Sequence, residues 1–191
     1  MRVAIFASGS GSNFQALSDS FKNKEIPGEL VCLFCDQPNA YVIKRAEIAN
    51  IPYFVLPKKK TESKSDYEQQ IIHLLREARI DLIVLAGYMK ILGADLLEAF
   101  PNRIINLHPS LLPKFPGANG IEDAFHSEDT ETGITIHLVD QGVDTGPVIF
   151  QKKLSKLSGE TLDELTNRIH KLEHEFYPKT IANFIRENVV E

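Results

Sequence analysis

The chain has 191 residues, 43% of them hydrophobic and 25% charged, with a formal net charge of -5. That length supports one domain with a substantial core and leaves little room for a second. An acidic balance argues against non-specific nucleic-acid binding, which needs clustered Lys and Arg. The apolar runs are too short for a signal core or a membrane span, so a cytoplasmic protein without nucleic-acid or membrane partners is expected.

Strands and helices alternate along the chain. "RVAIFAS" is a near-continuous apolar run, as expected of a strand covered on both faces. "NFQALSDSFKN" has helical spacing, with Phe14, Leu17 and Phe21 on one side. "ELVCLFCD" is a second strand, and period-2 alternation sends Cys32 and Cys35 to opposite faces, which favours core packing over a redox or zinc pair. "AYVIKRAEIAN" is a helix and "IPYFVLP" a short strand. "KKKTESKSD" is a polar loop, with Ser65 or Asp66 expected to cap the helix "YEQQIIHLLREARI". A strand "DLIVLAG", a short helix "GADLLEAF" and a strand "RIINLH" follow.

Beyond that point the pattern changes. "TGITIHLVD" alternates, with Ile134, Ile136 and Leu138 on one face, and "GPVIFQKKL" follows a glycine-bearing turn as its antiparallel partner. A long last helix opens on the capping box Thr161 and Glu164. Its apolar stripe is Leu162, Leu165, Ile169, Leu172 and Phe176, and Pro178 should kink or interrupt it. One doubly wound α/β domain over residues 1–191, with a mostly parallel sheet, an antiparallel C-terminal strand addition and a long last helix, is the expected fold.

Ligands of such a sheet bind beyond the carboxyl ends of its strands. After the first strand, Gly9 and Gly11 suggest a dinucleotide fingerprint, but Phe14 occupies its third glycine position and would obstruct the close helix–strand contact. The segment Gly11, Ser12 and Asn13 suits a monophosphate at a helix N-terminus, or else a plain capped turn. After the fourth strand, Tyr88, Met89, Ile91 and Leu92 could line a slot for a flat ring or pack in the core. Asn106 and His108 are two apart at a strand end and share a face, and Pro109 keeps His108 extended. An amide donor beside an imidazole suits oxyanion stabilisation and proton transfer. Asp140 and Asp144 lie in a glycine-bearing loop, where an aspartate near His108 would raise the imidazole's pKa, although loop aspartates also cap turns. "HKLEH" matches a zinc-protease pattern through His170, Glu173 and His174, yet too little chain follows for the further ligand, so no metal is expected, the alternative being a zinc-binding structural protein that chelates through His170 and His174 at i, i+4. His170 and Glu173 step along a line beside the apolar stripe, which could be the edge of a groove or an ordinary half-exposed face.

"SGSGSN", "LAGYMKIL", "INLHPSLLPKFPG" and "GVDTGPVI" together resemble the glycinamide ribonucleotide formyltransferases, in order and over nearly the whole chain. The resemblance implies a Rossmann-like formyltransferase fold, with ribonucleotide bound by the N-terminal half and folate by the C-terminal half. It implies a role in purine biosynthesis, 10-formyltetrahydrofolate as formyl donor, small-molecule substrates, no metal, and a monomer or homodimer. Carried over by position, Asn106 would hold the oxyanion, His108 would act as general acid, and Asp144 would raise the histidine's pKa and order a water. Gly11, Ser12 and Asn13 would bind the substrate phosphate, and His170 and Glu173 the rest of the ribonucleotide. Met89, Lys90, Ile91 and Leu92 would surround the pterin together with Asn106, Asp140, Gln141, Gly142, Val143 and Asp144. Lys64 falls where relatives carry a basic residue near the folate. In the lysine-rich loop (Lys58, Lys59, Lys60, Lys64) it is expected to attract the acidic glutamate tail. The chain departs from many relatives at Asn119, where they carry histidine, which bears on the loop from Pro113 to Ile121. The chain's shortness and acidity argue against a methionyl-tRNA formyltransferase, and the start of the first strand at Met1 argues against a formyltetrahydrofolate hydrolase.

Overall fold

A computed structural model describes residues 1–188. Its strands form one sheet in the order β3-β2-β1-β4-β5-β6-β7. The parallel part contains β1 (Arg2–Ala7), β2 (Glu29–Cys35), β3 (Tyr53–Val55), β4 (Leu82–Leu85) and β5 (Ile104–His108). β6 (Glu131–Leu138) joins β5 antiparallel, and β7 (Val148–Ser155) joins β6 likewise. The helices are α1 (Ser12–Lys22), α2 (Tyr41–Ala49), α3 (Lys64–Glu77), α4 (Ala94–Ala99), α5 (Gly120–His126) and α6 (Leu162–Asn188).

Strand alternation divides the interior into two layers. Val3, Ile5, Leu82 and Val84 face Phe14 and Leu17 of α1, Val42 of α2, and Tyr177 and Ile181 of α6. Ala4, Phe6, Ile83 and Leu85 face Tyr67, Ile71 and Leu75 of α3 and Leu96 of α4. Burying each large apolar side chain contributes about 1.5–3 kcal/mol, so both layers hold the sheet. Cys32 belongs to the second layer and Cys35 to the first, both as free thiols, and burial pushes the Cys32 thiol up to about 12.

Several boundaries differ from expectation. Ser63, rather than Ser65 or Asp66, caps α3: its Oγ accepts the Asp66 N–H at 3.0 Å, and Lys64 becomes the first helical residue. α5 leaves no mark in the sequence pattern, because a seven-residue helix opening on Gly120 is too short to display a period. α6 runs through Pro178 without interruption. A proline there costs about 3 kcal/mol, which burial of Tyr177, Ile181 and Ile185 along the same helix offsets. The buried line of α6 runs Leu165, Ile169, Glu173, Tyr177 and Ile181, so Glu173 lies within it rather than at its edge.

Tyr177 reaches from α6 into the sheet, where its hydroxyl donates to the Leu85 carbonyl at 2.7 Å and lies 3.3 Å from the Ile105 carbonyl. It thereby ties the ends of β4 and β5 to the helix behind them. Tyr177→Phe leaves a buried acceptor without its donor and should cost about 1–2 kcal/mol. That is a fall of about 2–8 °C in Tm, read by thermal denaturation; an unchanged midpoint contradicts this role.

Candidate active site

The order β2-β1-β4 places a topological switch between β1 and β4, since the chain leaves β1 toward β2 and returns on the other side at β4. A cleft of about 570 Å³ opens there, at the carboxyl ends of the strands. This is within the usual size for a small-molecule site.

One end of the cleft is the turn after β1. Gly11 is the N-cap of α1 with φ 75°, and a Cβ there would collide with Val42, so α2 packs directly on the turn. Among the described residues no side chain caps α1, which leaves its first N–H groups directed at the cleft beside Gly11, Ser12 and Asn13. Phe14 is fully buried beneath them, so the turn lacks the glycine contact of a dinucleotide site. Asn13 donates from Nδ2 to Glu173 Oε2 at 2.9 Å, while its Oδ1 is buried with no hydrogen-bond partner among the described residues. Glu173 is 5% exposed, and burial pushes its carboxyl above the ordinary range, with Asn13 and His170 opposing. His170 lines the cleft next to it.

The middle of the cleft holds the polar cluster. Asn106 and His108 project from the same side of β5, and antiparallel pairing sets His137 directly opposite Asn106. His108 is 3% exposed. Its Nε2 lies 2.7 Å from the Phe115 carbonyl. A carbonyl only accepts, so Nε2 carries the proton and the neutral ring's Nδ1 holds its lone pair. That Nδ1 lies 3.4 Å from Asp144 Oδ2. Asp144 adopts φ 55° and accepts the Gly117 N–H at 2.8 Å. His137 donates from Nδ1 to the Leu138 carbonyl at 2.8 Å, and its Nε2 stands 3.3 Å from Asn106 Nδ2. The same Nε2 lies 3.6 Å from Asp144 Oδ1, so His137 stands between the amide and the carboxylate.

At His108, burial outweighs charge. Burial lowers the His108 pKa below its ordinary 6.5, and this outweighs the upward pull of the Phe115 carbonyl and Asp144, with His137 adding to the lowering. Asp144 does favour the imidazolium, as expected, but it does not decide the resting state. The facing His137 ring, chiefly, holds the Asp144 carboxyl below its ordinary 3.8 against its own desolvation, helped by the Gly117 N–H and His108. Both shifts weaken the fold in acid. As pH falls below 6.5 the unfolded histidine binds its proton before the folded one. The stability from Asp144, fully present above 3.8, is lost as pH falls through its lowered folded value.

The far end is the ring-sized slot. Met89 and Ile91 are 67% and 64% exposed and Val143 is 48% exposed, so these are rim residues and not core. Lys90, Leu92, Asp140 and Gly142 complete that wall. Tyr88 does pack inward, edge-on to Phe6 at 5.4 Å. Asp140 shapes its own loop, accepting the Gly142 N–H at 3.0 Å and the Thr145 hydroxyl at 2.7 Å. Lys64 and Gln141 do not line the cleft, and neither does Asn119, which precedes α5. Lys58 donates to the Glu62 carbonyl, which ties one lysine of the loop to its own backbone. Among the described residues no group of three His, Cys, Asp or Glu side chains could hold a metal, and no helix is long and apolar enough to cross a membrane.

Sequence reasoning missed His137. Its signal was there: in "TGITIHLVD" the face opposite Ile134 and Ile136 carries Thr135 and His137, which pairing brings to the side of Asn106 and His108.

Comparison with known proteins agrees with this geometry. Residues 1–181 match the family model described as formyl transferase. The phosphoribosylglycinamide formyltransferase of Bacillus subtilis is 46% identical over 187 residues, 98% of this chain and 96% of that protein. The solved structure of the enzyme of that name from Bacillus halodurans superposes with a TM-score of 0.95 at 44% identity, covering 99% of this chain and 97% of that one. A glycinamide ribonucleotide transformylase from Geobacillus kaustophilus gives 0.93 at 46% identity, covering 96% and 97%.

The arrangement of charges around His108 can be tested directly. Asp144→Asn removes the group that favours the imidazolium, so the His108 pKa should fall further below 6.5. NMR titration of the ring measures it; an unchanged or raised value contradicts the arrangement.

Proposed function

The chain belongs to the formyl transferase family, and we propose that it moves the formyl group of 10-formyltetrahydrofolate to the amine of glycinamide ribonucleotide, yielding the N-formyl product and tetrahydrofolate for purine biosynthesis. The observation that carries this reading is the convergence of Asn106, His108 and Asp144 in one cleft, between a helix N-terminus and an apolar slot. On this reading residues 1–191 act as one unit, with the ribonucleotide held chiefly by the N-terminal half and the folate chiefly by the C-terminal half. The protein works in the cytoplasm on small molecules, with no metal and no nucleic acid.

The phosphate sits against the N–H groups at Gly11, Ser12 and Asn13, where the helix dipole favours an anion. Glu173 and His170 hold the ribose and the glycinamide end. Met89, Ile91, Leu92 and Val143 enclose the pterin, so the formyl carbon lies between the two substrates, over Asn106 and His108.

The amine attacks the formyl carbon, the C=O π pair moves to oxygen, and the Asn106 amide donates to the resulting oxyanion. The nitrogen that attacked now carries an excess proton. Neutral His108 accepts it at Nδ1, directly or through a water ordered by Asp144, and the carboxylate 3.4 Å away stabilises the imidazolium. His108 then gives that proton to N10 of the folate as the C–N10 bond breaks. A resting histidine held neutral is suited to this sequence, since it must act as base before it acts as general acid.

The test offers 10-formyltetrahydrofolate with glycinamide ribonucleotide, methionyl-tRNA or water as acceptor. Transfer to the ribonucleotide alone is expected, and His108→Ala or Asp144→Ala should lower kcat by about 10²–10⁴ with the fold intact. Formylation of the tRNA, bare hydrolysis, or wild-type kcat in either variant overturns the proposal.

A further inference from the structure

We propose that Asp36, which does not touch the cleft, is a positioning residue for the formyl donor: it holds the segment 87–92 in shape through Ser8 and Lys90. The inference rests on reading this cleft as a formyl-folate site.

The segment after β4 belongs to neither strand nor helix, so the sheet's own hydrogen bonds do not determine its path. Side chains hold it instead. Asp36 follows the last residue of β2 and is 2% exposed. Its Oδ1 accepts the Ser8 hydroxyl at 2.6 Å, and that Ser8 oxygen accepts the Met89 N–H at 3.0 Å. Ser8 also donates its own N–H to the Gly87 carbonyl at 3.0 Å. The other carboxylate oxygen accepts Gln37 Nε2 at 3.0 Å and faces Lys90 Nζ at 3.4 Å. One buried carboxylate thus links the ends of β1, β2 and β4. At the far end of the segment a second carboxylate does similar work, since Glu68 of α3 accepts the Gly93 N–H at 2.5 Å and the Leu96 N–H at 3.2 Å.

Lys90 shows what the link does for the ligand. It lines the cleft, yet its ammonium points at Asp36 and sits 5.2 Å over the Tyr67 ring. Only the aliphatic stem is then left to face the slot, and a flat neutral ring meets an apolar wall. Without the Asp36 charge the ammonium loses its buried partner and turns to water, which brings a solvated cation into the slot.

Asp36→Asn should raise KM for 10-formyltetrahydrofolate by about tenfold or more, the loss expected when a buried charged partner is removed. KM for glycinamide ribonucleotide and kcat should stay within about twofold, because the phosphate turn and the Asn106–His108 cluster keep their own contacts. Asp36→Glu should recover part of the loss. Lys90→Met added to Asp36→Asn should cost less than the two separate effects combined. If Asp36→Asn does not fold, Ser8→Ala breaks the same link and should also act on the donor KM. Calorimetric titration with tetrahydrofolate reports the slot without turnover and should weaken in parallel. Equal effects on both KM values, a fall in kcat at constant donor KM, additive double-variant costs or unchanged kinetics would each overturn the inference. A wild-type protein that neither binds tetrahydrofolate nor accepts the formyl donor overturns the functional reading, and this inference with it.

Discussion

The bond from His108 Nε2 to the Phe115 carbonyl, 2.7 Å long, is the constraint on which the chemistry depends. An imidazole can present either nitrogen as donor, and only a fixed acceptor on one side commits the other to the substrate. The acceptor is itself held in place. Phe115 adopts φ 54°, a left-handed conformation that a bulky residue enters at a cost of about 1–3 kcal/mol. Fully buried Ser110 donates to the Lys114 carbonyl at 2.7 Å and approaches the Phe115 carbonyl at 3.1 Å. Thr135 on β6 donates to the Ser110 carbonyl at 2.7 Å and accepts the Leu112 N–H at 3.0 Å. The stretch after His108 is therefore a brace, and Pro109, Pro113 and Pro116 reduce the freedom that bracing must overcome.

The sheet places the other groups. Parallel β4 and β5 end at one edge, where ligands of such sheets bind, and the antiparallel turn into β6 returns His137 to stand beside Asn106. The loop between β6 and β7 then carries Asp144 back over the same spot. The turn after β1, the polar cluster and the apolar slot meet because of one switch in strand order. Burial dominates the electrostatics: it draws the His108 pKa down against the opposing pull of the nearby Asp144 carboxylate.

Much of this was legible from residues alone. Near-continuous apolar runs such as "RVAIFAS" and "DLIVLAG" marked strands covered on both faces, and the clean alternation of "TGITIHLVD" marked the antiparallel addition. Asn106 and His108 could be paired because a two-residue spacing in a strand fixes a shared face. What escaped depends on contacts between distant segments. His137 becomes significant only through register with β5, and the resting state of His108 only through burial. Glu173 does line the cleft, but its burial escapes the pattern because a carboxylate rarely occupies the buried line of a helix, and Asn13 supplies the partner that permits it. Pro178 looked like a break because local rules omit the packing that outweighs it. The cap of α3 is Ser63 and not Ser65 or Asp66, since a polar run offers several caps and only the folded backbone selects among them.

The central claim is that resting His108 is neutral, protonated at Nε2, with Nδ1 free to take the proton of the attacking amine. Nitrogen-15 NMR of histidine-labelled protein near neutral pH, with His108 assigned by comparison with His108→Gln, reads this directly. The account predicts a protonated Nε2 and an Nδ1 with the shift of an unprotonated ring nitrogen. A ring protonated at Nδ1, or at both nitrogens, would contradict it.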